Sequence, residues 1–198
     1  MSLPQYEVFA IRYATHERTR NDNFIFRDAH DGPMPIDFFV WVLRSPERTI
    51  LVDTGFNETA AKARQRQLLR HPVDGLKAVG VDAASVRDVV LTHLHYDHAG
   101  NIGAFPAATF HVQEAEVNYA TGRCMCYEPM RHAYSVDDVV DVVRNVYADR
   151  VCFHNGDATI APGVELLLIG GHTMGLQSVR VHTKRGWVVL ASDASHYY

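Results

Sequence analysis

Cysteine is scarce: the 198 residues hold three, Cys124, Cys126 and Cys152. The number is odd and no CxxC pair occurs, which excludes a disulfide framework and a zinc knuckle and leaves reduced thiols of a cytoplasmic protein as the expectation. Cys124-Met125-Cys126 has no evident third and fourth ligand for a soft metal site. Uninterrupted apolar runs of about 18 residues are also missing, so no membrane span is expected. Pro4, Gln5 and Glu7 stand where a leader would carry basic and then apolar residues. Charge of one sign is lacking too. With 19 Lys and Arg scattered among 23 Asp and Glu, and a net charge of −4, there is no footprint for nucleic acid or an anionic membrane. The expected partner is a small molecule, a homodimer being compatible. No repeat, low-complexity tract or Ser/Gly linker divides the chain, and 47% apolar composition suffices for one core, so residues 1–198 read as one domain.

Histidine, by contrast, is plentiful: there are 12. Three of them and a carboxylate fall within six residues, in Leu91-Thr92-His93-Leu94-His95-Tyr96-Asp97-His98-Ala99-Gly100-Asn101. His93 and His95 are two apart, so on extended backbone their side chains leave one face and converge on one cation. Asp97 and His98 follow where the chain turns, offering an oxygen and a nitrogen ligand to a second ion. That donor set suits zinc or a similar borderline divalent metal. Most single histidines are surface or satisfied residues, and His16, His30, His71, His111, His132, His154 and His182 are read that way.

Short β-branched and aromatic runs alternate with helical patterns, which predicts a layered α/β fold. Strands are expected at residues 6–11, 37–43, 49–52, 89–92, 109–112, 164–169, 178–183 and 187–191, the last two joined by Lys184-Arg185-Gly186 as a tight hairpin. Helices are expected at 58–70, 73–79, 113–120 and 136–149. In the last, Ser135 and Asp138 read as a capping box, and Val136, Val139, Val140, Val143, Val146 and Tyr147 as one packing stripe. The His-rich segment begins where the strand Val89-Val90-Leu91 runs out, and strand ends are where rigid elements present loops to a substrate. Three further residues share that placement. His172 follows a strand within Gly170-Gly171-His172-Thr173-Met174-Gly175, Asp193 follows another, and Asp53 ends a third, placed to orient ligands without binding metal itself.

Through Leu51-Val52-Asp53-Thr54-Gly55, His93-x-His95-x-Asp97-His98, Gly171-His172-Thr173 and Ser192-Asp193-Ala194, the chain resembles the metallo-β-lactamase superfamily over nearly its whole length. Within it the resemblance is to the N-acyl homoserine lactonases. Phe39-Val40-Trp41-Val42-Leu43 leads into Asp53-Thr54-Gly55, Ala99-Gly100-Asn101 continues the motif, and Ala161-Pro162-Gly163-Val164 precedes a His172 loop ending in Gln177-Ser178. The resemblance implies an αββα sandwich and two divalent ions, zinc first, with iron or manganese as alternatives. His93, His95 and His172 would hold one ion, Asp97 and His98 the other, and Asp193 would bridge. His95 stands where the redox di-iron branch has a carboxylate, which favours hydrolysis.

Two departures accompany the match. The family supplies one more His from a strand well past the bridging Asp, and the chain ends at Tyr198, before that ligand and the rest of the second half of the sandwich. A longer protein, of which this chain is a C-terminally incomplete version, is the expectation. Three residues past Asp193 the family often has a catalytic Tyr, whereas here His196 is followed by Tyr197, leaving either as the polar helper. The implied activity is opening of a lactone by attack of a metal-bound hydroxide, with Asp97 passing a proton to the departing alkoxide. Two alternatives are a thioester hydrolase of the hydroxyacylglutathione type and a catalytically inactive metal-binding domain of the same fold. Phe24, Phe26 and His30 are candidates for the substrate mouth, and Met125, Tyr127 and Met130 for covering an acyl chain, although packing is the simpler use of those three.

Overall fold

A computed structural model describes residues 3–197. Two sheets lie face to face. The first has seven strands: β1 (Glu7–His16), β2 (Ile36–Arg44), β3 (Thr49–Val52), β4 (Gln67–Leu68), β5 (Asp88–Val90), β6 (Thr109–Gln113) and β7 (Val151–His154), in the order β4-β1-β2-β3-β5-β6-β7. Pairing is antiparallel from β4 to β3 and parallel from β3 to β7. The second is an antiparallel sheet of β8 (Ala158–Ala161), β9 (Val164–Leu168), β10 (Gln177–Thr183) and β11 (Gly186–Leu190), in the order β11-β10-β9-β8. Helices α1 (Arg20–Asn23), α2 (Glu58–Ala63), α3 (Pro72–Ala78), α4 (Tyr96–Ala99), α5 (Glu114–Thr121), α6 (Glu128–Arg131) and α7 (Val136–Tyr147) complete the chain.

Strand alternation builds two cores. Val40, Val42, Leu51, Val89, Phe110 and Val112 face one way and pack with Ala61, Leu76, Ala120, Val139 and Val142 of the helices. Leu43, Ile50, Val52 and Val90 face the other way and pack with Val164, Leu166, Val179, Val181 and Leu190 of the second sheet. Central strands covered on both faces carry unbroken apolar runs, as Ile50-Leu51-Val52 does in β3. On the second sheet's outer face Arg180 pairs with Glu165 at 2.9 Å and lies over Trp187, which is partly exposed like Val189. No helix among the described residues is long and apolar enough to cross a membrane.

Three sequence-based expectations need correction. The helix expected over 58–70 stops at Ala63, because Gln65 takes a φ of 55° and Gln67 and Leu68 then pair with Thr15 and Ala14. Residues 151–154 and 158–161 form strands that were not expected. In α7, Ser135 is the N-cap by its extended backbone but its side chain makes no capping bond, and the buried positions are Val139 and Val142, while Val136, Val140 and Tyr147 face solvent. The helix meets the core along a narrower line than the valine pattern suggests.

Candidate metal centre

Loops at the ends of four strands converge on one point. Past β3, Asp53 takes a φ of 62°, a left-handed conformation that short polar Asp tolerates, and its N–H donates to Val90 O at 2.8 Å. The turn that follows is tied to the histidine motif: Thr54 N–H and its hydroxyl both donate to His98 O at 2.7 and 3.0 Å, and Gly100 N–H donates to Gly55 O at 2.9 Å. A Cβ on Gly100 would lie 2.7 Å from Tyr96 O and 2.8 Å from Gly55 O, so only glycine permits this approach. His172 arrives from the loop between β9 and β10, and Asp193 from the 3-10 turn Ser192–Ala194 after β11.

His95 Nδ1 lies 3.0 Å from His93 Nε2 and 3.1 Å from His172 Nε2. Asp193 Oδ2 is 3.2 Å from His172 Nε2 and 3.9 Å from His93 Nε2. One ligand atom from each of these four residues falls within 4.8 Å of the others. The other carboxylate oxygen, Oδ1, faces the opposite way and lies 3.3 Å from His98 Nε2, which is 3.7 Å from Asp97 Oδ2. Asp193 thus turns one oxygen toward the three-histidine set and one toward Asp97 and His98. Behind His98, Asp53 Oδ2 lies 2.7 Å from Nδ1, while Asp53 also accepts from Thr92 N–H at 2.7 Å and from its hydroxyl at 2.8 Å. The ring is thereby aimed with Nε2 toward Asp193.

The charge distribution fits a cation. Burial pushes His93 well below the ordinary histidine value and takes His95 to about 3, so both rings are held neutral with lone pairs available. Burial also pulls His98 down, but Asp193, Asp53 and Asp97 outweigh it and hold that ring well above its usual value. Against burial, His98, His172 and His196 keep the Asp193 carboxyl well below the usual range. Three carboxylates around one imidazole demand positive charge, and three converging ring nitrogens beside a carboxylate oxygen form a donor set that suits a borderline divalent ion.

The cluster forms the floor of a cleft of about 760 Å³, whose walls include Tyr13, Ile36, Phe38, Phe39, Trp41 and Leu190. His196 and Tyr197 line it as well. His196 Nε2 lies 3.1 Å from Asp193 Oδ2, whereas the Tyr197 hydroxyl accepts from Asn23 Nδ2 at 2.7 Å and its ring packs on Phe24. Phe24 therefore reaches the mouth only through Tyr197, and Phe26 and His30 are exposed and line none of it. Tyr127 and Met130 are likewise exposed, and Met125 packs on the helix-side core. His16, read from sequence as an ordinary histidine, sits in the wall 3.0 Å from an Arg66 guanidinium nitrogen.

Glu116 is the residue that sequence reasoning missed. It is fully buried, accepts from Leu94 N–H at 2.9 Å and from Gly175 N–H at 3.1 Å, and so ties the His93–His95 loop to the His172 loop. Tyr134 donates to it at 3.0 Å and sets its ring edge-on to His95, with centroids 4.6 Å apart. A Cβ on Gly175 would lie 2.2 Å from Glu116 N, which explains the glycine. In sequence Glu116 is an acidic residue in the first turn of α5, where such residues are common, and nothing marks it as the tie between two loops.

Comparison with known proteins agrees with this geometry. A family model described as metallo-beta-lactamase superfamily matches residues 39–198. An N-acyl homoserine lactonase of Bacillus sp is 33% identical over an alignment of 180 positions that covers 81% of this chain and 66% of that protein. A crystal structure of a quorum-quenching N-acyl homoserine lactone lactonase superposes with a TM-score of 0.75 at 26% identity, covering 98% of this chain and 75% of the other. An N-acyl homoserine lactone hydrolase with the product N-hexanoyl-L-homoserine at its catalytic metal center superposes with a TM-score of 0.74 at 25% identity, covering 98% and 77%. The chain spans a little under two thirds of the length of the curated relative it matches, 66%. On its fold, its strand-end cluster and these matches, the chain belongs to the metallo-β-lactamase superfamily.

Proposed function

We propose that this chain carries the metal-binding part of a hydrolase that opens the lactone ring of N-acyl homoserine lactones. The observation that carries the reading is the Asp193 carboxylate, one oxygen toward His93, His95 and His172 and the other toward His98 and Asp97, at the floor of a largely apolar cleft. His93, His95 and His172 would hold one divalent ion and Asp97 and His98 a second, with Asp193 between them. Bound there, such ions supply Lewis acidity, polarising an ester carbonyl and acidifying water.

The chain's own residues do the remaining work. Asp53 fixes His98, Glu116 fixes the two ligand loops, and Phe38, Trp41 and Leu190 offer apolar wall to an acyl chain. Asp97 lies on the cleft floor beside His98 and in this reading would hand a proton to the departing alkoxide. His196 braces Asp193, and the Tyr197 hydroxyl is the polar group held at the mouth. The names of the relatives support the lactone over a glutathione thioester, and no feature of the cleft favours the thioester or an inactive domain.

Metal content and proton release on ring opening test the reading together. His93→Ala and Asp193→Ala should each lose metal from the cleft and abolish turnover of an acyl homoserine lactone. A variant that stays active without metal, or a wild-type protein that cleaves a glutathione thioester and leaves the lactone intact, overturns it.

A further inference from the structure

A second cluster of metal-binding side chains lies outside the cleft, at the β7 edge of the first sheet. His111 on β6 and Cys152 on β7 are register partners, and His154 is two residues beyond Cys152, so all three side chains leave the same face of the strand pair. That face is opposite to the one on which Phe110 and Val112 enter the helix-side core. His111 Nδ1 lies 3.1 Å from His154 Nε2, the two rings are stacked within 19° of parallel, and the Cys152 sulfur completes a set whose atoms all lie within 4.8 Å of one another. His111 is buried, and Cys152 and His154 are half-buried.

Asp88 decides how His111 presents itself. Its Oδ1 lies 3.3 Å from His111 Nε2, and a carboxylate only accepts, so Nε2 carries the proton. The lone pair of a neutral ring is then on Nδ1, turned toward His154 and Cys152. Carboxylate, imidazole and open nitrogen in line is the arrangement that orients metal-binding histidines elsewhere. A hydrogen bond from His154 to His111 would satisfy both rings without giving the thiol a role.

We propose that His111 Nδ1, Cys152 Sγ and His154 Nε2 hold an auxiliary divalent cation of the zinc class, which clips the edge strand β7 onto β6. Two imidazoles and a thiolate suit such an ion, and they leave one tetrahedral position for water. The site differs from the cleft in one chemical respect that makes it measurable: it contains sulfur, and the cleft's donor set contains only nitrogen and oxygen.

Cobalt substitution of the intact protein tests this. A thiolate-to-cobalt charge-transfer band should appear in the near ultraviolet, vanish in Cys152→Ser, weaken in His154→Ala and survive in Cys124→Ser and Cys126→Ser. Lactone opening by Cys152→Ser should equal that of wild type. Absence of the band from wild type, or its survival in Cys152→Ser, overturns the proposal. Should that variant fold poorly, thiol alkylation of the unaltered protein, mapped by mass spectrometry, decides the matter. Zinc should slow modification of Cys152 by about tenfold or more and leave Cys124 and Cys126 unchanged, because metal coordination occupies the thiolate. Equal rates at Cys152 with and without zinc overturn the proposal as well.

Discussion

The two histidine clusters are built in opposite ways. In the cleft, His93, His95, His172 and Asp193 sit on loops past strand ends, and a shared carboxylate separates two donor sets at the floor of an open cavity. On β6 and β7 the donors sit within paired strands, fixed by the ladder itself, with one carboxylate behind one ring and, among the described residues, no second donor set facing it. Loops can bring many ligands to one point and leave room for a substrate, but they need ties such as Glu116 and Asp53. Strands need no ties, and they fix few ligands in a geometry that leaves little space. The first arrangement suits catalysis and the second suits a clip.

The largest expected break in that contrast comes from removing a tie. Glu116→Ala leaves Leu94 N–H, Gly175 N–H and the Tyr134 hydroxyl without their buried acceptor. A loss of about 3 kcal/mol or more in denaturant unfolding is expected, given the usual cost of unpaired buried groups. Metal affinity in the cleft should fall with it while the thiolate–cobalt band persists. Equal loss at both clusters would mean that Glu116 supports the fold generally and ties no particular loops.

Next in size is Asp53→Asn. An amide cannot accept from Thr92 and from a His98 N–H with both of its terminal atoms, so the ring loses its aim. Metal affinity or turnover should fall on the order of 10- to 100-fold, the usual effect of losing a ligand's orienting partner, with little change in unfolding midpoint. A variant with wild-type metal titration and turnover would remove Asp53 from the site. Asp88→Asn is the counterpart at β6–β7, expected to weaken the thiolate–cobalt band and leave lactone opening unchanged.

The same contrast explains what the sequence revealed. The cleft cluster announces itself because four of its members lie within six residues, and His172 and Asp193 follow from asking what else sits at a strand end. The second cluster is dispersed over residues 88 to 154 and becomes visible only through register. Its strand β7 is four residues long and follows the turn at Ala148 and Asp149, too short for alternation to declare itself. The layered fold was legible because both-face burial makes β3 and β5 apolar past their first residues, as Ile50-Leu51-Val52 and Val89-Val90. The end of α2 was not, since β4 exists only by pairing with β1, and the face of α7 was not, because six valines and a tyrosine overfill a contact that needs mainly Val139 and Val142. Tertiary contact, which local pattern does not contain, settled each of these.

The smallest effect sharpens the contrast by belonging to neither cluster. Asp138, half-buried in the first turn of α7, is raised to about 6 by burial, and Asp141 and Asp137 add to the shift against Ser135 and Arg64. A carboxyl whose folded value exceeds its unfolded value near 3.8 binds its proton more tightly in the fold. Its contribution to stability is therefore complete below about pH 4 and is lost as pH rises through about 6. Asp138→Asn keeps the shape and removes the titration. Thermal midpoints of wild type and variant should converge toward pH 4 and separate by pH 7, with the variant the more stable, and the thiolate–cobalt band at pH 7 should be identical in the two proteins. If the two midpoints instead run parallel from pH 4 to pH 7, burial does not raise Asp138 in the fold, and any slope in stability there belongs to other titrating groups.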